Sequence, residues 1–237
     1  MPFIKTWGNP HMDIDRFDPS EAPITWTDAT RSQDARIISD WFFLNKQPDI
    51  ARKTLDLAKA DAPYALNDPE FCAALGLSEM QYGDKTTVLS LLEKAAAEKI
   101  KRPEVYRSLS QLYLENILAS KEKDYKLDKT ETQKVFDPLL AALKLSQSNP
   151  QTYLQIYELA QHTNVLFPKE LWKAIATNCS QQFPDNFGLL NQLVPLLLKN
   201  GLKDEAARLL DATEKCPLTT KEQQQLARLK IMVGGQN

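Results

Sequence analysis

DPEFCAALGLSEMQYGDKTTVLSLLEKAAAEKIKRP, Asp68 to Pro103, reads as one helical hairpin and the first residue of the next. Asp68 offers a side-chain oxygen to the free amides of a helix start. Pro69 suits the first turn, where a missing N–H costs least, and Glu70 meets the positive end of the helix dipole. Phe71, Leu75 and Met80 follow at helical spacing, Gly83–Asp84 interrupts them, and Val88, Leu92 and Ala95 form the return helix. Pro103 stands 34 residues after Pro69, and there the pattern begins again.

The step recurs outward from this stretch. Pro103 to Pro150 is 47 residues, Pro150 to Pro184 is 34 and Pro184 to Pro217 is 33. The long step equals one period plus the charged stretch KEKDYKLDKTETQ, Lys121 to Gln133. A period of this length predicts stacked helical hairpins, each burying its apolar face against its neighbours. The units expected are 32–67, 68–102, 103–149 with a charged insertion at 121–134, 150–183 and 184–216, with a capping segment 217–233 and a tail 234–237.

Within those units the apolar spacing places the helices. In the first, Ile37, Ile38, Trp41 and Leu44 share a face, Asn45 to Pro48 breaks the chain, and Ile50, Leu55 and Ala58 return. In the third, Tyr106, Leu109, Leu112, Tyr113 and Ile117 face inward. Val135, Leu139, Leu140, Leu143 and Leu145 form its second helix, with Pro138 expected near the start, where proline is tolerated. The insertion, with lysines and acidic residues mixed, is expected as a flexible solvated loop. Tyr153, Ile156 and Tyr157, then Leu171, Trp172 and Ile175, build the fourth unit across a long turn from Thr163 to Pro168. Pro184 opens the fifth, with Phe187, Leu190, Leu193 and Leu197, a kink expected at Pro195, a turn at Asn200–Gly201, and Ala206, Leu209 and Leu210 returning. Thr219 with Glu222 forms a capping box for a last helix.

These units resemble tetratricopeptide (TPR) repeats. Counting each proline as position one, the third unit places Tyr106, Leu109, Ser110 and Tyr113 at the family's aromatic, Leu, small and aromatic positions. The second unit keeps Leu75–Gly76 and the turn glycine Gly83 but has Cys72 and Glu79 at the aromatic places. Second helices match at Ala51, Leu55 and Ala58, at Val88, Leu92 and Ala95, and at Gly201 with Asp204, Glu205, Ala206, Ala207 and Leu210. The fourth unit departs from the pattern, with Tyr157 where a small residue is expected. The resemblance spans about Ser32 to Met232 and implies an all-α fold, a right-handed alpha-solenoid of about five TPR-like helical hairpins with a C-terminal capping helix.

It also implies a protein-interaction scaffold whose first helices line a concave groove for a peptide or partner protein. The groove places fall on Arg107, Ser108, Gln111, Leu114 and Glu115 in the third unit and on Leu154, Gln155, Glu158, Gln161 and His162 in the fourth. Groove chains that grip a terminal carboxylate carry Lys or Arg with Asn here. Arg107 matches the cation, Gln111 replaces the Asn, and the fourth unit brings no second cation.

Composition narrows the classes. The net charge of −2 leaves no overall basic field for phosphate backbones, so nucleic acid is not an expected partner. No run of 18 or more apolar residues stands as a membrane span. Cys72, Cys179 and Cys216 form no CxxC pair and are expected as small core hydrophobes. This points weakly to a reducing, cytoplasmic setting, although an exported chain poor in cysteine reads the same way. His162 begins HTNV rather than HExxH, and no Walker loop, GxGxxG or GxSxG is present, so no catalytic residue, metal or cofactor is expected. Asp13, Asp15 and Asp18 lack the glycine and terminal Glu of a calcium loop.

Residues 1–31 differ from the rest, with prolines at 2, 10, 19 and 23 and the aromatics Phe3, Trp7, Phe17 and Trp26. Three readings stand: a strap on the first hairpin, the stub of an upstream domain that would make this the repeat region of a larger protein, or, for the first dozen residues, a cloning junction at His11–Met12. On the repeat reading, circular dichroism will show a helix-dominated spectrum. A strong strand signal from residues beyond the first thirty would refute it.

Overall fold

The structure, a computed structural model, describes residues 31–61, 63–122 and 124–235. The chain divides into two units, Met1–Leu109 and Ser110–Asn237. The readings of the first thirty residues, Asp13 to Asp18 included, lie outside the described residues.

In the first unit α1 (Arg31–Leu44) pairs with α2 (Pro48–Asp61). A 3-10 turn, Pro63–Asn67, leads to α3 (Pro69–Glu79) and α4 (Lys85–Ala97), and α5 (Pro103–Ala119) begins. Helix α1 packs on α2 and on α3, and α3 packs on α4. Asp68 caps α3 by accepting from the Glu70 amide at 2.9 Å, as expected, and Asp84, read from the sequence only as part of a turn, caps α4 by accepting from the Thr87 amide at 2.9 Å. Gly76 lets α3 and α4 approach: a Cβ there would stand 2.8 Å from Leu92 Cδ2 and 3.0 Å from Leu92 Cγ. Arg102 joins three segments through charge-assisted hydrogen bonds. Its Nη2 donates to Asp40 Oδ2 at 2.6 Å and its Nε to Glu70 Oε2 at 2.9 Å, and Arg36 Nη1 reaches the same Glu70 oxygen at 3.2 Å.

The second unit holds the rest of α5, then α6 (Lys129–Leu145), α7 (Pro150–His162), α8 (Lys169–Gln182), α9 (Phe187–Lys199), α10 (Lys203–Glu214) and α11 (Thr220–Gly234). Helix α7 packs on α9 and α9 on α11, while α8 packs on α10. First helices therefore stack on first helices and second on second, as a hairpin repeat requires. Leu139, Ile156, Leu159, Trp172, Leu190 and Leu197 are central to its core, and Phe167 meets Trp172 edge-on with ring centroids 5.8 Å apart. Gly201 turns α9 into α10 at φ 70°, a conformation that costs a residue with a Cβ.

Several expectations are corrected. The buried face of α1 is Ala35, Ile38, Ser39 and Phe42, whereas Ile37 is 53% and Leu44 84% exposed. Two stripes overlap in this helix, and the buried one carries the small residues that close contact with α2 and α3 needs. Pro138 is the tenth residue of α6 rather than near its start, because Asp128 and Glu131 form a capping box that draws the end of the insertion into the helix. The carbonyl that Pro138 leaves without a helical donor belongs to Lys134, an exposed residue. Pro184 does not open α9. Asn186 caps α9 from Phe187 onward, and Thr219 caps α11 with the expected Glu222 box. Leu145 is exposed at the end of α6, and Cys216 is only half-buried, unlike Cys72 and Cys179.

Ala95 and Ala206 have no exposed surface. Replacing either with Leu overpacks a helix contact, with an expected loss of about 1–3 kcal/mol read as a lowered Tm. An unchanged Tm at both positions would contradict this register.

Candidate functional site

Helix α5 carries Gln111, Leu114, Glu115 and Leu118 at i, i+3, i+4 and i+7, one stripe of a helix; α7 carries Gln151, Gln155 and Glu158 at i, i+4 and i+7. The two stripes line one cavity of about 190 Å³, with Val135 of α6 beneath. The floor is apolar, from Leu114, Leu118 and Val135, and the rim is polar, from the glutamines and the carboxylates Glu115 and Glu158. Ser110 Oγ donates to the Val135 carbonyl at 2.8 Å and holds α5 to α6 below it. Gln111 Nε2 donates to Glu115 Oε1 at 2.9 Å and orients that carboxylate.

Of the residues expected in the groove, Gln111, Leu114, Glu115, Gln155 and Glu158 come together here. Arg107 does not line this cavity. It lies in the first unit, its side chain 13% exposed and its Nη2 3.6 Å from Glu104 Oε1. Gln161 and His162 do not line it either. Both sit at the last turn of α7, where Lys126 Nζ donates to the Gln161 carbonyl at 2.6 Å and the Leu127 amide donates to the His162 carbonyl at 2.8 Å. Ser110, Leu118, Val135 and Gln151 were missed. Gln151 was legible as the turn before Gln155 on the same stripe, but Val135 enters only because α6 passes underneath.

Over the residues described, 124–133, most of the charged insertion is solvent-exposed as expected, but Leu127 and Thr132 are buried and make it a brace rather than a free loop. Leu127 is 2% exposed and forms a parallel bridge with Thr163. The Thr132 and Thr163 hydroxyls lie 2.7 Å apart. Tyr125 Oη donates to Glu131 Oε2 at 2.7 Å, the Asp128 amide donates to the same oxygen at 3.1 Å, and Lys121 Nζ lies 3.7 Å from Glu131 Oε1. Carbonyls at the end of α7, which have no helical partner, are satisfied by this segment, and the start of α6 is tied to the end of α7.

Burial pushes the Cys179 thiol up to about 12, so it stays protonated at neutral pH. Among the described residues no three His, Cys, Asp or Glu side chains gather as metal ligands would, and no helix is long and apolar enough to cross a membrane.

No family model and no curated protein matches this chain. Solved structures do. PilF of Pseudomonas aeruginosa superposes with a TM-score of 0.53 at 11% identity, over 87% of this chain and 86% of that one. The fold is a TPR-like helical repeat. TTC0263, a thermophilic TPR protein of Thermus thermophilus, aligns at 17% identity over 84% of this chain and 99% of its own, with a TM-score of 0.47. MamA aligns at 15% identity over 84% and 96%, with a TM-score of 0.48. At such identities the likeness is one of fold, and within the TPR-like frame the cavity lies where first helices of successive hairpins, α5 and α7, face each other.

The brace has a pH signature. The Tyr125 hydroxyl, then the Asp128 amide, holds the Glu131 carboxyl below the usual carboxylate range. Its folded pKa lies below its unfolded one, so its stabilisation is complete above the ordinary carboxylate pKa and is lost as pH falls through the lowered value. Glu131→Gln is expected to lower Tm at neutral pH and to flatten the acid limb of the Tm–pH profile. A variant whose acid limb matches the parent's would show that Glu131 does not couple the brace to protonation.

Proposed function

We propose that this chain is a non-catalytic protein-interaction module that holds a peptide or a helix of a partner protein in the cavity between α5 and α7. The cavity itself supports the reading: an apolar floor under a rim of amides and carboxylates on two helices, stiffened by the 124–133 brace. At about 190 Å³ it is smaller than the roughly 300–1,000 Å³ of small-molecule sites, but it suits one side chain of a longer segment laid across it. Amide rims read backbone as well as side chains, because each glutamine both donates and accepts. Arg107, Gln161 and His162 remain outside this proposed contact.

Affinity capture from native extract tests it with a Gln111→Trp, Gln155→Trp variant that fills the cavity and a Gln224→Trp control on α11. A polypeptide held by the parent and the control but lost by the filled variant is the expected result, provided the filled variant keeps its helical circular dichroism. Equal capture by all three overturns the cavity as the partner site.

A further inference from the structure

We propose that residues 13–30 of this chain run back along the outer face of α1 and close the first hairpin against solvent, Trp26 seated on Ile37 and Phe17 on Leu44. The face of α1 carries the argument. Ile37 and Leu44 stand two turns apart on one stripe of the helix and are 53% and 84% exposed, although both are large and apolar. A helix flanked on both sides looks different: α3 packs on α1, α2 and α4 and buries Phe71 to Gly76 without a break. Helix α1 packs on α2 and α3 and buries Ala35, Ile38, Ser39 and Phe42, which leaves the second stripe uncovered by the described residues. End units of a repeat need a polar outer face, because the surface that internal hairpins bury against a neighbour is otherwise left open to water. In the second unit a helix meets that need. Helix α11 packs on α9 and α10, and its exposed residues are mostly polar, Lys221, Gln223, Gln224 and Arg228 among them.

Length and composition select the occupant of the α1 stripe. A second copy of the chain matches it badly, since a stripe of two turns, about 10 Å long, offers far less than the roughly 800 Å² per partner of a stable interface. Residues 13–30 cannot supply another hairpin either: they are shorter than the 34-residue period, and Pro19 and Pro23 would break a helix. An extended strap meets neither objection. Proline favours extended backbone, Phe17, Ile24 and Trp26 supply apolar anchors, and Asp13, Asp15, Asp18, Glu21 and Asp28 supply a polar outer surface. The distances agree. Ile37 lies about 9 Å along α1 from Arg31 and Leu44 about 20 Å, whereas a chain extended back from Arg31 reaches about 17 Å by Trp26 and about 46 Å by Phe17. Because Thr30 leads directly into α1, the strap is held at an effective concentration on the order of millimolar, so a few apolar contacts suffice to seat it. Residues 1–12 take no part, and the proposal is independent of the cavity between α5 and α7.

The test uses the full chain with its Ile and Leu methyl groups isotopically labelled, and reads nuclear Overhauser contacts to aromatic protons. Contacts from Ile37 to Trp26 and from Leu44 to Phe17 are expected. In thermal melts the pairs Ile37→Ser, Leu44→Ser and Phe17→Ser, Trp26→Ser are each expected to lower Tm by about 2–5 °C. All four substitutions together are expected to lower it by less than the sum, because both pairs remove the same contact. The methyl contacts are read on unaltered protein, so a variant that fails to fold leaves the test intact. Ile37 and Leu44 methyls with no contact to residues 13–30, or a Tm unchanged by Phe17→Ser, Trp26→Ser, overturn the proposal. A parent that is dimeric by light scattering, with the contacts passing between differently labelled copies, makes a second copy the occupant and overturns it as well.

Discussion

Where α3 meets α4, the backbone of Gly76 lies so close to Leu92 that a Cβ would be 2.8 Å from its Cδ2. Ala35, Ala51, Ala58, Ala95 and Ala206 meet the same need for small side chains, each with no exposed surface. Hairpins that contact only their neighbours in a repeat have no central core to share, so each must come close to the next and bury its large residues in the narrow seams between helices. Phe42, Leu55, Phe71 and Leu92 fill those seams in the first unit, and Trp172, Leu139, Ile156 and Leu197 fill them in the second. Close approach sets where helices can lie.

Helix ends are managed locally, and that decides where each hairpin turns. Asp68, Asp84, Asp128, Asn149, Asn186 and Thr219 each accept a backbone amide at a helix start, so six boundaries are written in short polar side chains. The proline period marks two of them directly, at Asp68–Pro69 and Asn149–Pro150. At Pro184 and Pro217 the proline stays in the loop, and the next competent cap, Asn186 or Thr219, starts the helix. The C-terminal end of α7 is different: its carbonyls are met by Lys126 and the Leu127 amide, from a segment 35 residues or so earlier in the chain.

The candidate site inherits these constraints. Leu114 and Gln111 lie on a helix whose neighbour in the stack is another first helix, which leaves a cavity with apolar residues below and long polar ones above. The same brace that caps α7 keeps Gln161 and His162 engaged through their carbonyls, and so separates the cavity-lining part of α7 from its end.

Hairpin count, helix order and two of the six caps, Asp68 and Thr219, were legible in the sequence, because they depend on residues a few positions apart: Asp68 with Glu70, Thr219 with Glu222, Val88 with Leu92 and Ala95. Five of the residues that the TPR resemblance placed in a groove, Gln111, Leu114, Glu115, Gln155 and Glu158, line one cavity together. What failed was whatever depends on partners distant in sequence. The face α1 buries was misread because Ile37 and Leu44 are as apolar as Ile38 and Phe42, and only packing against α2 and α3 chooses between the stripes. The charge of the insertion reads correctly as mostly solvated but does not reveal that Leu127 is buried and paired with Thr163. By itself the sequence determined a repeat of helical hairpins, since periodicity and capping are local physics. Which apolar stripe is buried, which insertion is a brace and which side chains share a cavity were decided by the tertiary structure, since each is a contact between residues that no local spacing brings together.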